Sequence, residues 1–208
     1  IWGLAQEVRG HYRIGCHLVH ALSCLPPVIQ EASLKYPELD LEIQIHHSHL
    51  VCRKVADGDL DLGLAIEPLR LPRLVLKKLR TEHIHLCQRS TEGTAKNLSQ
   101  SSERVVLLNP EMIGISRVAR VMKTHRVVSL PSYDLIASSL LKSSRLQGFL
   151  PTGVLSRYPK LRILETFSEG ALYLVYREDL VKNPASEFLL RSLSEASKQL
   201  SVIETVNK

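Results

Sequence analysis

Residues 12–66 alternate between strand patterns and helix patterns, and this alternation limits the possible folds more than any other feature of the sequence. The clearest strand is the segment 39–45, LDLEIQI, in which apolar and polar residues alternate strictly, as in a strand with one buried face. A helix is predicted before it, because apolar residues recur at helical spacing between positions 18 and 32. Strands that alternate with helices pair in parallel through right-handed crossovers, so the sequence predicts the α/β fold class.

Local signals predict the neighbouring elements. Residues 12–16 and 60–66 have strand patterns, and residues 50–56 have a helix pattern. Ser48 is the predicted N-cap of this helix, and Gly58 is the predicted residue that ends it.

The first helix contains two features that affect its shape and packing. The prolines at 26 and 27 are expected to distort or restart it, because proline lacks the N–H that a helix interior uses. Its apolar side chains, Leu18 and Leu22 among them, are assigned to the core. Tyr36 before Pro37 is expected to end the helix.

A second run of the same kind follows. Its predicted elements are an extended segment at 74–87, a polar loop at 90–103, strands at 104–109, 126–130, 146–151 and 172–176, and helices at 113–123, 132–141 and from 184 onward. Pro110 opens the first of these helices, and Ser132 and Asn183 are the predicted N-caps of the other two. Two α/β regions of similar size, joined by extended segments, predict two lobes with a cleft between them.

Composition argues against several classes of protein. With 44% hydrophobic residues the chain has enough apolar matter for a core, and its longest apolar runs are far shorter than a membrane-spanning helix. Aromatic residues make up 5% of the chain, which argues against a base-stacking platform. Four cysteines without CxxC spacing argue against a disulfide framework and indicate a reducing, cytoplasmic compartment.

The net charge of +6 is concentrated in the middle of the chain. Residues 1–69 are net −4, residues 70–130 are net +8 and residues 131–208 are net +2. The basic region is compatible with nucleic-acid binding, with a solvated face and with a partner surface. No predicted helix has Arg and Lys clustered on one face, which favours a solvated face or a partner surface over nucleic-acid binding.

Several short motifs occur in a fixed order along the chain. They are YRIG at 12–15, LP at 25–26, YPEL at 36–39, Ser48, GDLDLG at 58–63, SYDLIA at 132–137 and GFLP at 148–151. In this order and at these intervals they resemble the effector-binding domain of LysR-type transcriptional regulators. No single motif is specific, whereas the ordered set is.

The resemblance implies a type 2 periplasmic-binding-protein-like fold with two Rossmann-like lobes. Lobe I would comprise residues 12–68 and 170–208, lobe II residues 69–169, and the two crossover segments would lie near 66–71 and 166–170. Residues 1–11 would be the end of a linker to a winged helix-turn-helix that is absent from this chain, so DNA would be bound only through that missing domain.

The resemblance also implies a function. The chain would sense a small-molecule effector in the cleft and form a homodimer or higher homo-oligomer, without a cofactor, a metal or a membrane. The alternative is a solute-binding protein of a transport system with the same fold. An enzyme is not expected, because the sequence contains neither a G-x-S-x-G motif nor a P-loop.

The candidate effector site lies where strands end and helices begin, because helix N-termini present unpaired N–H groups and a partial positive charge there. The candidate residues are Cys16, His17, Val19, His20, His47, Ser48, Asn109, Leu130, Pro131 and Ser132. Ser48 matches a small hydroxyl residue of the family and would donate a hydrogen bond to an anionic group, although a plain N-cap is the alternative. Val19 departs from the family pattern and cannot donate, so His17 or His20 would donate instead.

Five of the nine histidines cluster at two predicted strand ends, at positions 17, 20, 46, 47 and 49. One interpretation is a metal site, and the other is a set of polar loop residues that line the cleft. The second is favoured, because the spacing crosses a strand-to-helix turn and no HExxH or CxxC motif accompanies it. If two or more line the cleft, affinity for an anion should rise as pH falls from about 8 to about 6.

The charge asymmetry predicts how two copies meet. Domains that resemble this one pair side by side and antiparallel, with the first lobe of one chain against the second lobe of the other. Asp40 and Glu42 on the predicted second strand would face Arg117, Arg120 and Lys123, which are assigned to one helix of the partner.

Overall fold

The structure is a computed structural model that describes residues 8–90, 105–112 and 116–206. Predicted features at 1–7, 91–104, 113–115 and 207–208 lie outside these ranges. The chain divides into two compact units, Ile1–Thr81 with Gly170–Lys208, and Glu82–Glu169. The lobe boundaries at 68/69 and 169/170 stay predictions from the family resemblance.

The described elements follow one another in an α/β order. They are β1 (Gly10–Cys16), α1 (Leu18–Lys35), β2 (Leu39–Ile45), α2 (Ser48–Asp57), β3 (Leu62–Ile66), β4 (Leu74–Arg89), β5 (Val105–Leu108), a 3-10 turn (Pro110–Met112), α3 (Ser116–Met122), β6 (Arg126–Ser129), α4 (Tyr133–Leu140), β7 (Leu146–Pro151), α5 (Thr152–Leu155), β8 (Leu161–Arg177) and α6 (Pro184–Val206). Strands β4 and β8 each contain a boundary between the units, so the chain passes from one unit to the other within them.

The first unit has the strand order β2-β1-β3-β8. Strand β1 pairs in parallel with β2 and with β3, and β3 pairs antiparallel with β8 from Leu62↔Tyr176 to Ile66↔Leu172. Parallel strands need crossover helices, and α1 and α2 provide them.

Helices cover both faces of this sheet. The α1 and α6 helices share one apolar cluster with β1, β3 and β8, whereas α2 shares another with Ala65 and Val175. A Cβ added at Gly63 would meet Val51 and Val55 of α2, so glycine at this position permits the helix to lie against the strand.

The second unit has β4-β7-β5-β6 as its strand order. Strand β5 pairs in parallel with β6 and β7, and β7 pairs antiparallel with β4. Its buried residues include Val106, Ile136 and Phe149, and Gly148 of β7 leaves room for Ile136 of α4.

Several predictions about the helices are wrong. Helix α1 does not restart at Pro26 and Pro27 but continues from Leu18 to Lys35, so that alternative is wrong, while distortion of the helix stays a prediction. Both prolines are exposed, so water can bind carbonyls that lack an N–H partner. Leu18 and Leu22 are not in the core, because they are 42% and 47% exposed. The interior side of α1 is formed instead by residues such as Leu25.

The limits of other elements also differ from the prediction. Helix α2 begins at Ser48, so its N-cap is His47 and not Ser48. Helix α3 spans Ser116–Met122, so Lys123 lies just beyond it, and Pro110 begins a separate 3-10 turn. Strand β8 spans 17 residues, of which the sequence pattern predicted only 172–176.

Candidate functional site at the carboxyl ends of the strands

In the first unit the carboxyl ends of β1, β2 and β3 lie at one edge of the sheet, because the three strands run parallel. His17 follows β1 and is the N-cap of α1, where its Nδ1 accepts a hydrogen bond of 3.3 Å from the N–H of Val19. His47 follows β2 and is the N-cap of α2. The rings of His17 and His47 lie 6.0 Å apart between centroids, so the structure brings the two predicted loops together.

Ser48 has a different role from the predicted N-cap. Its Oγ accepts a hydrogen bond of 2.9 Å from the N–H of Ile66. The ladder between β1 and β3 ends at Cys16↔Leu64, so the N–H of Ile66 on that side has no backbone partner in β1. Ser48 supplies the missing acceptor, and among the described residues its own hydroxyl hydrogen has no acceptor.

The histidines at this edge do not form one charged cluster. His20 is 2% exposed, and burial, together with the nearby Arg80 and His17, lowers its pKa to about 3. His46 is bonded through Nε2 to Oε1 of Gln44 at 3.0 Å, whereas His47 and His49 are exposed. In the part of the chain that the structure describes, no group of His, Cys, Asp and Glu side chains is arranged to hold a metal ion.

Two other predicted residues contribute little side-chain surface at this edge. Cys16 is completely buried and Val19 is 4% exposed. A ligand at this edge would therefore meet the backbone of these residues and not their side chains. Their assignment as effector contacts stays a prediction.

The second unit has a comparable edge after β5 and β6. Asn109 is buried, and its Nδ2 donates a hydrogen bond of 3.2 Å to the carbonyl of Pro131. The N–H of Leu130 donates to the carbonyl of Leu108 at 2.8 Å, which extends the ladder past β6. Ser132 is the N-cap of α4 and accepts from the N–H of Leu135 at 3.4 Å, so this predicted cap is confirmed. The structure thus gathers Asn109, Leu130, Pro131 and Ser132 at one place.

No pattern in the sequence predicted a polar cluster that is centred on the buried side chain of His85 in the same unit. Thr152 donates to the carbonyl of His83, so it accepts from Nε2–H of His85 at 2.9 Å. Nδ1 of His85 must then accept from the hydroxyl of Thr166, at 3.0 Å. Burial, with a smaller effect of His83, lowers the pKa of His85 to about 4, which keeps the ring neutral.

Comparison with known families identifies the domain type. A family model described as the LysR substrate binding domain matches residues 5–198. The chain belongs to the LysR substrate-binding domain family. It is therefore an effector-binding regulatory domain of the LysR type, with the type 2 periplasmic-binding-protein-like fold that the motifs predicted.

Solved LysR-type domains share this fold. The regulatory domain of MexT, a transcriptional activator in Pseudomonas aeruginosa, is 17% identical with a TM-score of 0.70, covering 92% of this chain and 100% of that one. The sulfate-bound OxyR2 E204G regulatory domain from Vibrio vulnificus is 16% identical with a TM-score of 0.66, covering 96% and 100%. The AmpR effector binding domain from Citrobacter freundii is 15% identical with a TM-score of 0.67, covering 92% and 100%. No curated protein sequence matches the chain.

The cysteine side chains of this LysR-type domain are shielded from solvent. All four cysteines are free and buried. Burial raises the pKa of Cys16 and of Cys87 to about 12, with the nearby Cys24 as a further cause for Cys16. Thiolates are the reactive form, so burial keeps Cys16 and Cys87 in the less reactive thiol form.

The residues predicted at a dimer interface of the LysR-type domain are largely exposed. Asp40 and Glu42 lie on β2, the edge strand of the first unit, and Glu42 contacts His11 at 3.3 Å. Arg120 and Lys123 are exposed in the second unit, whereas the side chain of Arg117 lies outside the described residues. No helix in the described ranges is long and apolar enough to span a membrane.

Proposed function

We propose that this domain binds a small anionic effector at the carboxyl edge of the first unit, and that binding controls DNA binding or bending by the full-length regulator. The observation that carries the proposal is the hydroxyl of Ser48, which accepts from Ile66 and has a hydrogen left to donate. A group bound there must include an acceptor, as a carboxylate, sulfate or phosphate does.

The surroundings of Ser48 favour negative charge. Ser48 is the first residue of α2, where N–H groups of the first turn lack helical partners and the helix dipole is positive. Neither α1 nor α2 has an acidic residue in its first turn, so no protein carboxylate within those turns occupies these positions. The second unit differs, because Ser132 is the N-cap of α4 and the first turn of that helix contains Asp134.

Two further facts agree with an anion. Residues 70–130 carry a net charge of +8, and positive charge on a protein attracts anions. The similar OxyR2 domain is described as sulfate-bound. Sulfate is therefore a suitable first probe, together with small mono- and dicarboxylates.

The test is calorimetric titration of the wild-type chain and three serine variants. Ser48→Ala should weaken the binding of sulfate or of the best carboxylate by about 1 kcal/mol, roughly fivefold. Ser48→Thr keeps the hydroxyl and should bind like the wild type. Ser33→Ala is the matched control, because Ser33 is an exposed serine on α1 whose Oγ bonds only its own helix.

Unfolding of each variant must be measured in parallel, because Ser48→Ala also leaves the N–H of Ile66 without its acceptor. A loss of stability of about 1 kcal/mol is expected from that change. The proposal is wrong if Ser48→Ala binds anions as the wild type does, or if the wild type prefers cationic ligands.

The same domain is proposed to form a homodimer. Asp40 and Glu42 of one copy would face Arg120 and Lys123 of the other, and the twofold symmetry would use the contact twice. The exposed apolar residues of α1, among them Leu22, would supply apolar area near the contact.

A double charge reversal tests this arrangement. Asp40→Lys combined with Glu42→Lys should weaken the dimer at low salt, as seen by sedimentation equilibrium. Exposed ion pairs contribute only about 0–1 kcal/mol each, so the effect should shrink at high salt. An unchanged dimer, or a wild-type chain that stays monomeric at high concentration, contradicts the arrangement.

A further inference from the structure

Glu67 has a strained backbone at the end of β3. Its φ is +43°, in the left-handed region that side chains other than glycine rarely adopt. It also precedes Pro68, and a following proline pushes a residue toward extended conformations. Two independent preferences therefore favour an extended backbone at Glu67. Specific contacts must hold this residue in the left-handed conformation that the structure shows.

Those contacts are two reciprocal hydrogen bonds to Ala171 of β8. The N–H of Glu67 donates to the carbonyl of Ala171 at 3.2 Å, and the N–H of Ala171 donates to Oε1 of Glu67 at 2.9 Å. In an ordinary antiparallel pair the second bond would go to the backbone carbonyl of Glu67. The carboxylate replaces that carbonyl, so the backbone can leave the sheet while Ala171 stays bonded.

Gly170 completes this arrangement. A Cβ at this residue would lie 3.1 Å from Oε1 and 3.2 Å from Cγ of Glu67. The absence of a side chain at Gly170 thus makes room for the Glu67 carboxylate. We name Glu67, Gly170 and Ala171 the latch.

The latch is linked to the candidate site through Ile66, the chain neighbour of Glu67. Ile66, the residue before Glu67, gives its N–H to Ser48 Oγ. When the hydroxyl of Ser48 donates to an anion, its oxygen becomes a stronger acceptor, because hydrogen bonds in a chain polarise one another. Occupation of Ser48 therefore stabilises the position of the Ile66 peptide, and with it the strained Glu67.

The structure shows one arrangement of Glu67, in which the carboxylate accepts a hydrogen bond from the N–H of Ala171. In a second arrangement Glu67 would be extended and its own carbonyl would accept from the same N–H, which would lengthen the β3–β8 ladder by one pair. We propose that Glu67 is a positioning residue that couples anion binding at Ser48 to β8, the strand through which the chain returns from the second unit to the first. This inference rests on the proposed function of Ser48.

The test follows two backbone amides by NMR in the 208-residue chain while sodium sulfate is added. The amide of Ile66 reports binding at Ser48, and the amide of Ala171 reports the latch. Both resonances should move together, and hydrogen exchange of the Ala171 amide should slow about fivefold at saturation.

Variants separate the latch from general effects of strain. Glu67→Val should abolish the response of Ala171 and weaken sulfate binding about fivefold, because a β-branched residue is excluded from the left-handed region. Glu67→Gln retains an acceptor and should respond like the wild type. Arg73→Val is the matched control, since Arg73 has a φ of +63° in the same unit but does not bond Ile66 or Ala171.

The outcomes distinguish the two proposals. If Ile66 responds to sulfate and Ala171 does not, the latch is refuted while the proposed function stands. If neither responds, both are refuted. If Glu67→Val does not fold, Gly170→Ala takes its place, because its Cβ crowds the carboxylate; an unaltered Ala171 response in that variant also refutes the latch.

Discussion

Two buried neutral histidines should make this domain sensitive to mild acid. In the unfolded chain both titrate near pH 6.5. In the folded chain burial lowers the pKa of His20 to about 3 and of His85 to about 4. Below pH 6.5 the unfolded state thus binds more protons than the folded state, so stability falls as pH falls toward those values and is constant above about pH 7.

The size of the effect follows from proton uptake by the unfolded chain. Between pH 7 and pH 5, each histidine that stays neutral in the fold costs about 2 kcal/mol. The two together cost about 4 kcal/mol, a large part of the roughly 5–15 kcal/mol that stabilises a typical domain.

Urea unfolding at pH 7, 6 and 5, followed by circular dichroism, measures this loss. His20→Asn and His85→Gln should each lower stability at pH 7, yet each should reduce the loss between pH 7 and pH 5 by about 2 kcal/mol. His49→Asn is the control, because His49 is exposed. If the units unfold in separate transitions, His20 should affect the first unit and His85 the second. An identical pH dependence in wild type and His20→Asn would refute the reasoning.

The same physics corrects the predicted dependence of effector affinity on pH. His20 stays neutral throughout the range from pH 8 to pH 6, so it cannot attract an anion by protonation there. The predicted rise in affinity therefore receives no contribution from His20, which is a buried residue of α1.

Three further predictions concern the packing of α2 against β3, the N-cap of α4 and the burial of two cysteines. Gly63→Ala should cost about 1–3 kcal/mol in urea unfolding, because the new Cβ meets Val51; a stability equal to wild type would show that α2 does not lie against β3 as described. Ser132→Ala should cost about 1 kcal/mol through loss of the α4 cap, and Ser132→Asn should recover most of it by the same measurement. Cys16 and Cys87 should react with a thiol reagent such as Ellman's reagent only after unfolding, and rapid labelling of either in the folded protein would contradict their burial.

Elements with local signals could be predicted from the sequence. The segment 39–45, which its alternation predicted as a strand, has the same bounds as β2, although Ile45 at its end is 47% exposed. Asn183 accepts from the N–H of Ser186 at 2.9 Å, as a predicted N-cap should, and Gly58 ends α2 with a φ of +84°. In each case the determining residues lie within a few positions of one another.

Features that depend on distant residues could not be predicted in this way. Residues 161–171 have no clean alternation, and they form a strand because β4 lies beside them in the sheet. The role of Ser48 depends on the N–H of Ile66, which becomes available only where the β1 ladder ends. The neutral state of His85 depends on its burial in the fold, and its hydrogen bonds depend on Thr152 and Thr166, which are far from it in sequence.

Neutral donors form part of the candidate site in the first unit. Ser48 offers a hydroxyl, α2 offers the N–H groups of its first turn, and His20 is uncharged. Partial charges of this kind act within about one helical turn, whereas full charges act over a Debye length of about 8–10 Å. An anion is therefore selected by where its acceptor atoms meet these donors, and its net charge matters less. Loss of the Ser48 hydroxyl should accordingly change the order of preference among anions of equal charge, which a calorimetric comparison of sulfate with dicarboxylates would detect.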